Sequence, residues 1–184
     1  MRGVSFIAMA CALAVVSAAA AAADGKAWTL TTAANGALSV ETPCDASLIA
    51  VTQKVPDEAL LPGVQFSPGS RVVCRDGKTM LVAGEIEVPD YPADGPSVYD
   101  TFVEQAKNDK TAEGTPSTTL INGRRAWLNR QEKDGALAQT GFIEIDRAKI
   151  VLVIAGVDSG SSMKIEDQRA LVDRFYASIK VTGK

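Results

Sequence analysis

The chain has 184 residues, of which 46% are hydrophobic and 22% charged, with a formal net charge of −3, three cysteines and no histidine. The missing imidazole excludes Ser-His-Asp and Cys-His catalysis, His-ligated metals and histidine pH switching. A slightly acidic balance with neither sign in a long block argues against nucleic acid or an anionic membrane surface as the main partner.

The opening "MRGVSFIAMACALAVVSAAAAAADGK" carries one positive charge at Arg2, then an uncharged apolar run, then small residues before Asp24. This is the layout of a secretory signal peptide cleaved near Ala23. An uncleaved anchor is the competing reading, because the run is about long enough to span a bilayer. Its alanine-rich second half is weakly hydrophobic, and no basic stop-transfer cluster follows it. Cys11 falls inside the signal, and "AMAC" lacks the leucine three places earlier that a lipid-modified cysteine would have. The expectation is a signal peptide over 1–23 and a single domain over 24–184, long enough to hide about 70% of its unfolded surface. The mature chain is then periplasmic or secreted in a bacterial envelope, with no stable membrane insertion after cleavage.

"KAWTLTT" and "GALSVETP" flank "AANG", whose Asn35-Gly36 supplies the positive φ angles of a tight hairpin, so the pair reads as two strands. The next segment holds three prolines and mixed periodicity, which predicts a short helix near Ala46 to Gln53 followed by a loop. "RVVCRDGKTMLVAGEIEVP" reads as two strands broken at Asp76-Gly77, and Pro89, Pro92 and Pro96 end the sheet locally. Cys44 and Cys74 are the two cysteines left in the mature chain, and in an oxidising compartment an even pair reads as one disulfide. Two thiols without an imidazole cannot complete a zinc tetrahedron, and no Cys-x-x-Cys redox pair exists. Closing a loop of this length stabilises a fold by about 3.7 kcal/mol on the chain-entropy model.

Ser97 followed by Asp100 resembles a capping box, and Val98, Tyr99, Phe102, Val103 and Ala106 share a face, predicting a helix from about Ser97 to Asn108. Four strands in hairpin succession follow, "STTLING" and "RRAWLNRQEKDG" meeting at Asn122-Gly123, "ALAQTGFIEID" after Asp134-Gly135, and "KIVLVIAGV" after a turn at Arg147-Ala148. The last is apolar on both faces, which places it centrally with cover on each side. A final helix is predicted from about Met163 to Ser178, with Ile165, Leu171, Val172, Phe175 and Ile179 inward, and "IKVTG" can close the chain as an edge strand. The order describes an α+β domain, an antiparallel sheet of about six to seven strands flanked by helices.

Two stretches carry a family resemblance. "GALSVETPCD" resembles the opening strand, and "ALVDRFYASIKVTG" the closing helix-to-strand ending, of PsbP-like α/β/α-sandwich domains. The helix at Ser97 and the strands up to Val157 fall between them in the family's order. The resemblance implies an accessory or partner-binding role: PsbP-like proteins in plants support the lumenal side of a photosynthetic complex, and bacterial relatives are often exported proteins of unassigned role. It brings no catalytic residue with it, and the cysteine pair has no counterpart in the motifs.

Candidate chemistry is sparse. "SSMK" sets Ser161 three residues before Lys164 at a predicted helix start, as Ser-x-x-Lys acyl-transfer enzymes require, but the accompanying elements of those enzymes are missing and a serine helix cap is the simpler reading. Glu85, Glu87, Asp90 and Asp94 lack the regular spacing of a calcium loop. Glu132, Asp134, Glu144 and Asp146 contain no pair of set separation for glycoside hydrolysis. The remaining set is Arg124, Arg125 and Arg130 with Trp127. Alternation sends Arg125, Trp127 and Asn129 to one face and Arg124, Ala126, Leu128 and Arg130 to the other. Core packing accounts for Trp127, and ion pairing for the arginines, but arginine and aromatic residues are also the usual interface anchors.

The expectation is therefore an exported accessory or partner-binding domain of unassigned biochemical role, with an unknown envelope protein as partner. Arg124, Arg125 and Trp127, with the hairpin tip before them, form the candidate contact. No catalytic residue, metal or cofactor is assigned. The alternatives are a small periplasmic hydrolase using Ser/Lys or carboxylates, and a carrier of an apolar small ligand.

Overall fold

Aliphatic and β-branched runs separated by glycine turns build the strands of this chain. The computed structural model describes residues 27–52, 66–109 and 113–182. The expected signal peptide over 1–23, and the loop expected after the predicted helix as far as residue 65, lie outside the described residues. The strands are β1 (Thr29–Thr32), β2 (Leu38–Thr42), β3 (Ile49–Thr52), β4 (Arg71–Asp76), β5 (Thr79–Glu87), β6 (Thr115–Ile121), β7 (Arg124–Lys133), β8 (Ala136–Glu144), β9 (Lys149–Val157) and β10 (Lys180–Val181). The helices are α1 (Val98–Asn108) and α2 (Ile165–Ser178).

Seven strands form one antiparallel sheet in the order β3-β4-β5-β9-β8-β7-β6, and β1-β2-β10 form a small second sheet. The successive hairpins β6 to β9 fold back so that β9 lands beside β5, with Val151↔Glu85 and Val153↔Ala83 in register. Ile150, Val151, Leu152 and Val153 are all buried, as a strand covered on both faces must be. The two tight turns leading into β7 and β8 have positive φ at both central residues, Asn122 (49°) with Gly123 (78°) and Asp134 (51°) with Gly135 (79°). That conformation matches the right-handed twist of the flanking strands.

Helix α1 covers one face of the large sheet, where Val98, Tyr99 and Val103 pack with Val82, Trp127, Phe142 and Leu152, and with Phe66 from the segment before β4. On the other face lie α2 and the small sheet, with Leu171, Val172 and Phe175 joined by Leu38, Val40 and Ile179 against Leu81, Leu137, Ile143 and Val153. Burying each such side chain contributes about 1.5–3 kcal/mol. The result is an α+β sandwich with the large sheet in the middle. The capping box on α1 is complete, since the Ser97 hydroxyl accepts from Asp100 N–H and the Asp100 carboxylate accepts from Ser97 N–H.

Three local expectations are corrected. The segment from Ala46 makes only a 3-10 turn, Ala46–Leu48, and continues as β3 with Ile49 opposite Cys74; Gln53 lies outside the described residues. Ile49 and Val51 are β-branched, and pairing with β4 overrides the weak helical pattern. The first hairpin is wider than a two-residue turn: Thr32 pairs with Ser39, only Gly36 has positive φ (73°), and Asn35 Oδ1 accepts from Ala37 N–H. Asn35 N–H instead donates to Gly69 O, so a distant backbone sets the loop. Finally, α2 starts at Ile165 with Lys164 at its N-cap, and Ser161 Oγ accepts from Met163 N–H in the turn before it rather than capping the helix.

Candidate partner-binding surface

Strand β7 presents alternate side chains to the two faces, as its period requires. On the α1 face Trp127 is buried and stacked on Phe142, with ring centroids 5.4 Å apart and planes at 14°. Beside it Arg125 donates through Nε and Nη2 to the two carboxylate oxygens of Glu144, each at 2.6 Å, and through Nη1 to Asp100 at 3.1 Å. The same guanidinium lies over the Tyr99 ring, 4.8 Å from its centroid. The hydrogen bonds it donates to Glu144 and then Asp100 push the Arg125 pKa further up. The Asp100 carboxyl is held below its ordinary range by the Ser97 hydroxyl first and Arg125 second.

On the opposite face Arg124 Nη1 donates to Ile145 O at 2.8 Å. Asn122 at the hairpin tip donates to Ile179 O, which ties the tip to the junction of α2 with β10. Arg124, Arg125 and Trp127 therefore do not form one patch. Trp127 is core, Arg125 is clamped by α1 and β8, and Arg124 faces the other side.

What this end of the sheet exposes is β6. Helix α1 packs mainly over β8 and β9, and α2 over β2, β8 and β9; both reach β7 through side chains such as Trp127 and Arg130, so it is β6 that extends past them. Every β6 residue except Ile121 is exposed, and Leu120 is 66% accessible. On the α2 face, β6 and β7 floor an open groove of about 950 Å³ lined by Ser117, Thr119, Leu128, Arg130 and Gln139, with Glu113, Glu132 and Lys133 among its rim. Arg130 Nε donates to Gln139 Oε1 at 2.6 Å and its Nη2 pairs with Asp173 of α2. Glu132 accepts from Arg169 of α2 at 2.8 and 2.5 Å, which holds its carboxyl below the ordinary range. The groove's charges are thus neutralised in pairs, while its hydroxyls are open to solvent.

No family model matches the chain, and no curated protein matches it in sequence. Its fold is similar to the solution structure of cyanobacterial PsbP (CyanoP) from Synechocystis sp. PCC 6803, at 14% identity over 84% of this chain and 92% of that one, with a TM-score of 0.49.

The other candidate residues fall apart in space. Glu144 shares the α1 face with Arg125, whereas Glu132 lies on the α2 face with Arg169, so these two carboxylates cannot flank one bond. Asp134 occupies the β7–β8 turn, and Asp146 accepts from Ala148 N–H in the turn before β9. Glu85 is buried, and Glu87 pairs with Lys149 at 3.3 Å. Ser161 and Lys164 line a separate depression of about 450 Å³ with Asp76, Lys78 and Asp167. The surface residues that sequence reasoning passed over, Ser117 to Leu120, carry one signal: an uncharged Ser/Thr run next to a proline with a single large apolar side chain, the composition of a strand with both faces in water.

Proposed function

We propose that the chain is an exported accessory domain of the cell envelope that binds a protein partner on the β6–β7 end of its large sheet. The observation that carries this reading is the overhang of β6 beyond both helices, which leaves a broad hydroxyl-lined groove over β6 and β7 instead of a deep enclosed cleft. A protein surface fits such a shape, whereas a small ligand is held by a concave, mostly apolar pocket. The Cys44–Cys74 disulfide supports an oxidising destination, in keeping with the signal-like amino terminus.

The contact shifts from Arg125 and Trp127 to the groove, because those two side chains are already engaged within the fold. A photoreactive residue at Ser117 is expected to cross-link a discrete protein in native envelopes, while one at Ala170, exposed on α2, does not. Equal labelling from both positions, or none from Ser117, would discard the reading.

A further inference from the structure

The turn that joins β6 to β7 decides which backbone groups of β6 face outward. Ile121 and Arg124 are the first and last residues of a two-residue hairpin turn, so they form a hydrogen-bonded pair. Pairs alternate along an antiparallel ladder, so Thr119↔Ala126, Ser117↔Leu128 and Thr115↔Arg130 are bonded as well. The N–H and C=O groups of Thr118 and Leu120 therefore point away from β7, as does the carbonyl of Pro116. Proline stands at an outward position, so its missing N–H costs the ladder with β7 nothing.

Edge strands are blunted by charge, by proline, by bulges or by cover. β6, "TPSTTLI", carries no charge, its one proline stands at the end away from the turn, and Leu120, the most exposed large apolar side chain among the described residues, sits beside the turn.

We infer that this edge pairs with β6 of a second copy, antiparallel and centred on Thr119, so that the two large sheets become continuous. The inference stands on the backbone geometry of β6 and goes beyond the partner reading. In this register Thr118 of each copy faces Leu120 of the other, and all four outward N–H and C=O groups of these two residues find a mate. Centring the pair on Thr118 instead would set each Leu120 carbonyl against Pro116, which has nothing to donate. An uncharged strand meeting itself creates no like-charge contact. The two Arg125 residues, each one strand further in, would stand about 16 Å apart, three strand spacings across and two residues along, beyond the screening length of about 8 Å in physiological salt. The two-fold axis runs perpendicular to the sheet, which places both grooves on the same side and merges them into one trough.

The axis provides the test. Thr119 is a non-hydrogen-bonded pair with itself, a position where Cα atoms lie about 4.5 Å apart, within the range a disulfide spans. Thr119→Cys is expected to give a covalent dimer on mild oxidation at least 10-fold faster than Ser117→Cys, whose opposite residue would be Ile121. Sedimentation of the unmodified protein should show a dimer that dissociates on dilution. Thr118→Pro, which removes only an outward N–H, should abolish it, and Thr118→Lys should do the same by charge if proline distorts the strand. A monomer at every concentration, or equal cross-linking of the two cysteine variants, overturns the inference. Photo-cross-links from Ser117 to a different protein, obtained alongside a monomer, would retain the partner reading and reject self-pairing alone.

Discussion

At Gly141 the large sheet and α2 approach too closely for any side chain. A Cβ there would lie 2.7 Å from Leu128 Cδ2, 2.9 Å from Tyr176 Cε1 and 3.2 Å from the Trp127 carbonyl. Leu128 can rotate aside, but Tyr176 cannot, because its hydroxyl is fixed 3.0 Å from both Gln139 O and Val153 O and its ring is buried. Burial also pushes the Tyr176 pKa up, so the phenol stays protonated and remains a donor. Gly141→Ala is expected to destabilise the domain by about 1–3 kcal/mol, the usual penalty for overpacking. Equilibrium denaturation in urea checks this; an unchanged midpoint would mean that α2 shifts freely on the sheet.

Helix α1 is attached through charge as well as through its apolar face. Asp100 serves twice, closing the capping box with Ser97 and accepting from Arg125 of β7. Its folded pKa is lowered, so its contribution to stability is complete above the unfolded value of about 3.9 and is lost as pH falls through the lower folded value. Arg125 remains charged throughout that window. Asp100→Asn should therefore flatten the fall in thermal midpoint below about pH 4, while leaving the β6–β9 hairpins intact. Melting curves from pH 6 to pH 2 decide it: parallel profiles for variant and wild type would show that α1 is held by its apolar face alone.

Across the whole molecule two sheets must be kept together, and the covalent link lies where they meet. Cys44 follows β2 of the small sheet, Cys74 lies in β4 of the large one, and their Cα atoms are 5.9 Å apart. The two stretches that resemble PsbP-like domains also meet here. β10 pairs with β2 through Lys180↔Ser39, and Ser178 Oγ accepts from Glu41 N–H, so motifs at opposite ends of the chain form one packing unit. With a sequence separation of 30, the bridge contributes about 3.7 kcal/mol through the unfolded state. Replacing both cysteines by alanine, or reducing the protein, should lower stability by about that amount with the far-ultraviolet dichroism retained. A loss below about 1 kcal/mol would show that the unfolded chain is already compact at this loop.

Local chemistry made much of this molecule legible from its residues. Asn122-Gly123 and Asp134-Gly135 dictate tight hairpins because few other dipeptides accept two positive φ angles, and Ser97 with Asp100 marks a helix start whatever surrounds it. The run from Ile150 to Ala155 demanded cover on both faces, which fixed β9 as an inner strand. Pairing between distant segments decided the rest. Ile49–Thr52 became a strand only because β4 offered it a ladder, and β6 became an edge because β9 returned to β5 and, among the described residues, no further strand joins β6. Arg125 and Trp127 look the same in sequence whether they face a partner or each other's neighbours, and it was the placement of α1 and β8 that engaged them within the fold. Turn geometry and capping act over a few residues and are written locally, whereas strand order and side-chain surroundings depend on contacts between segments far apart along the chain.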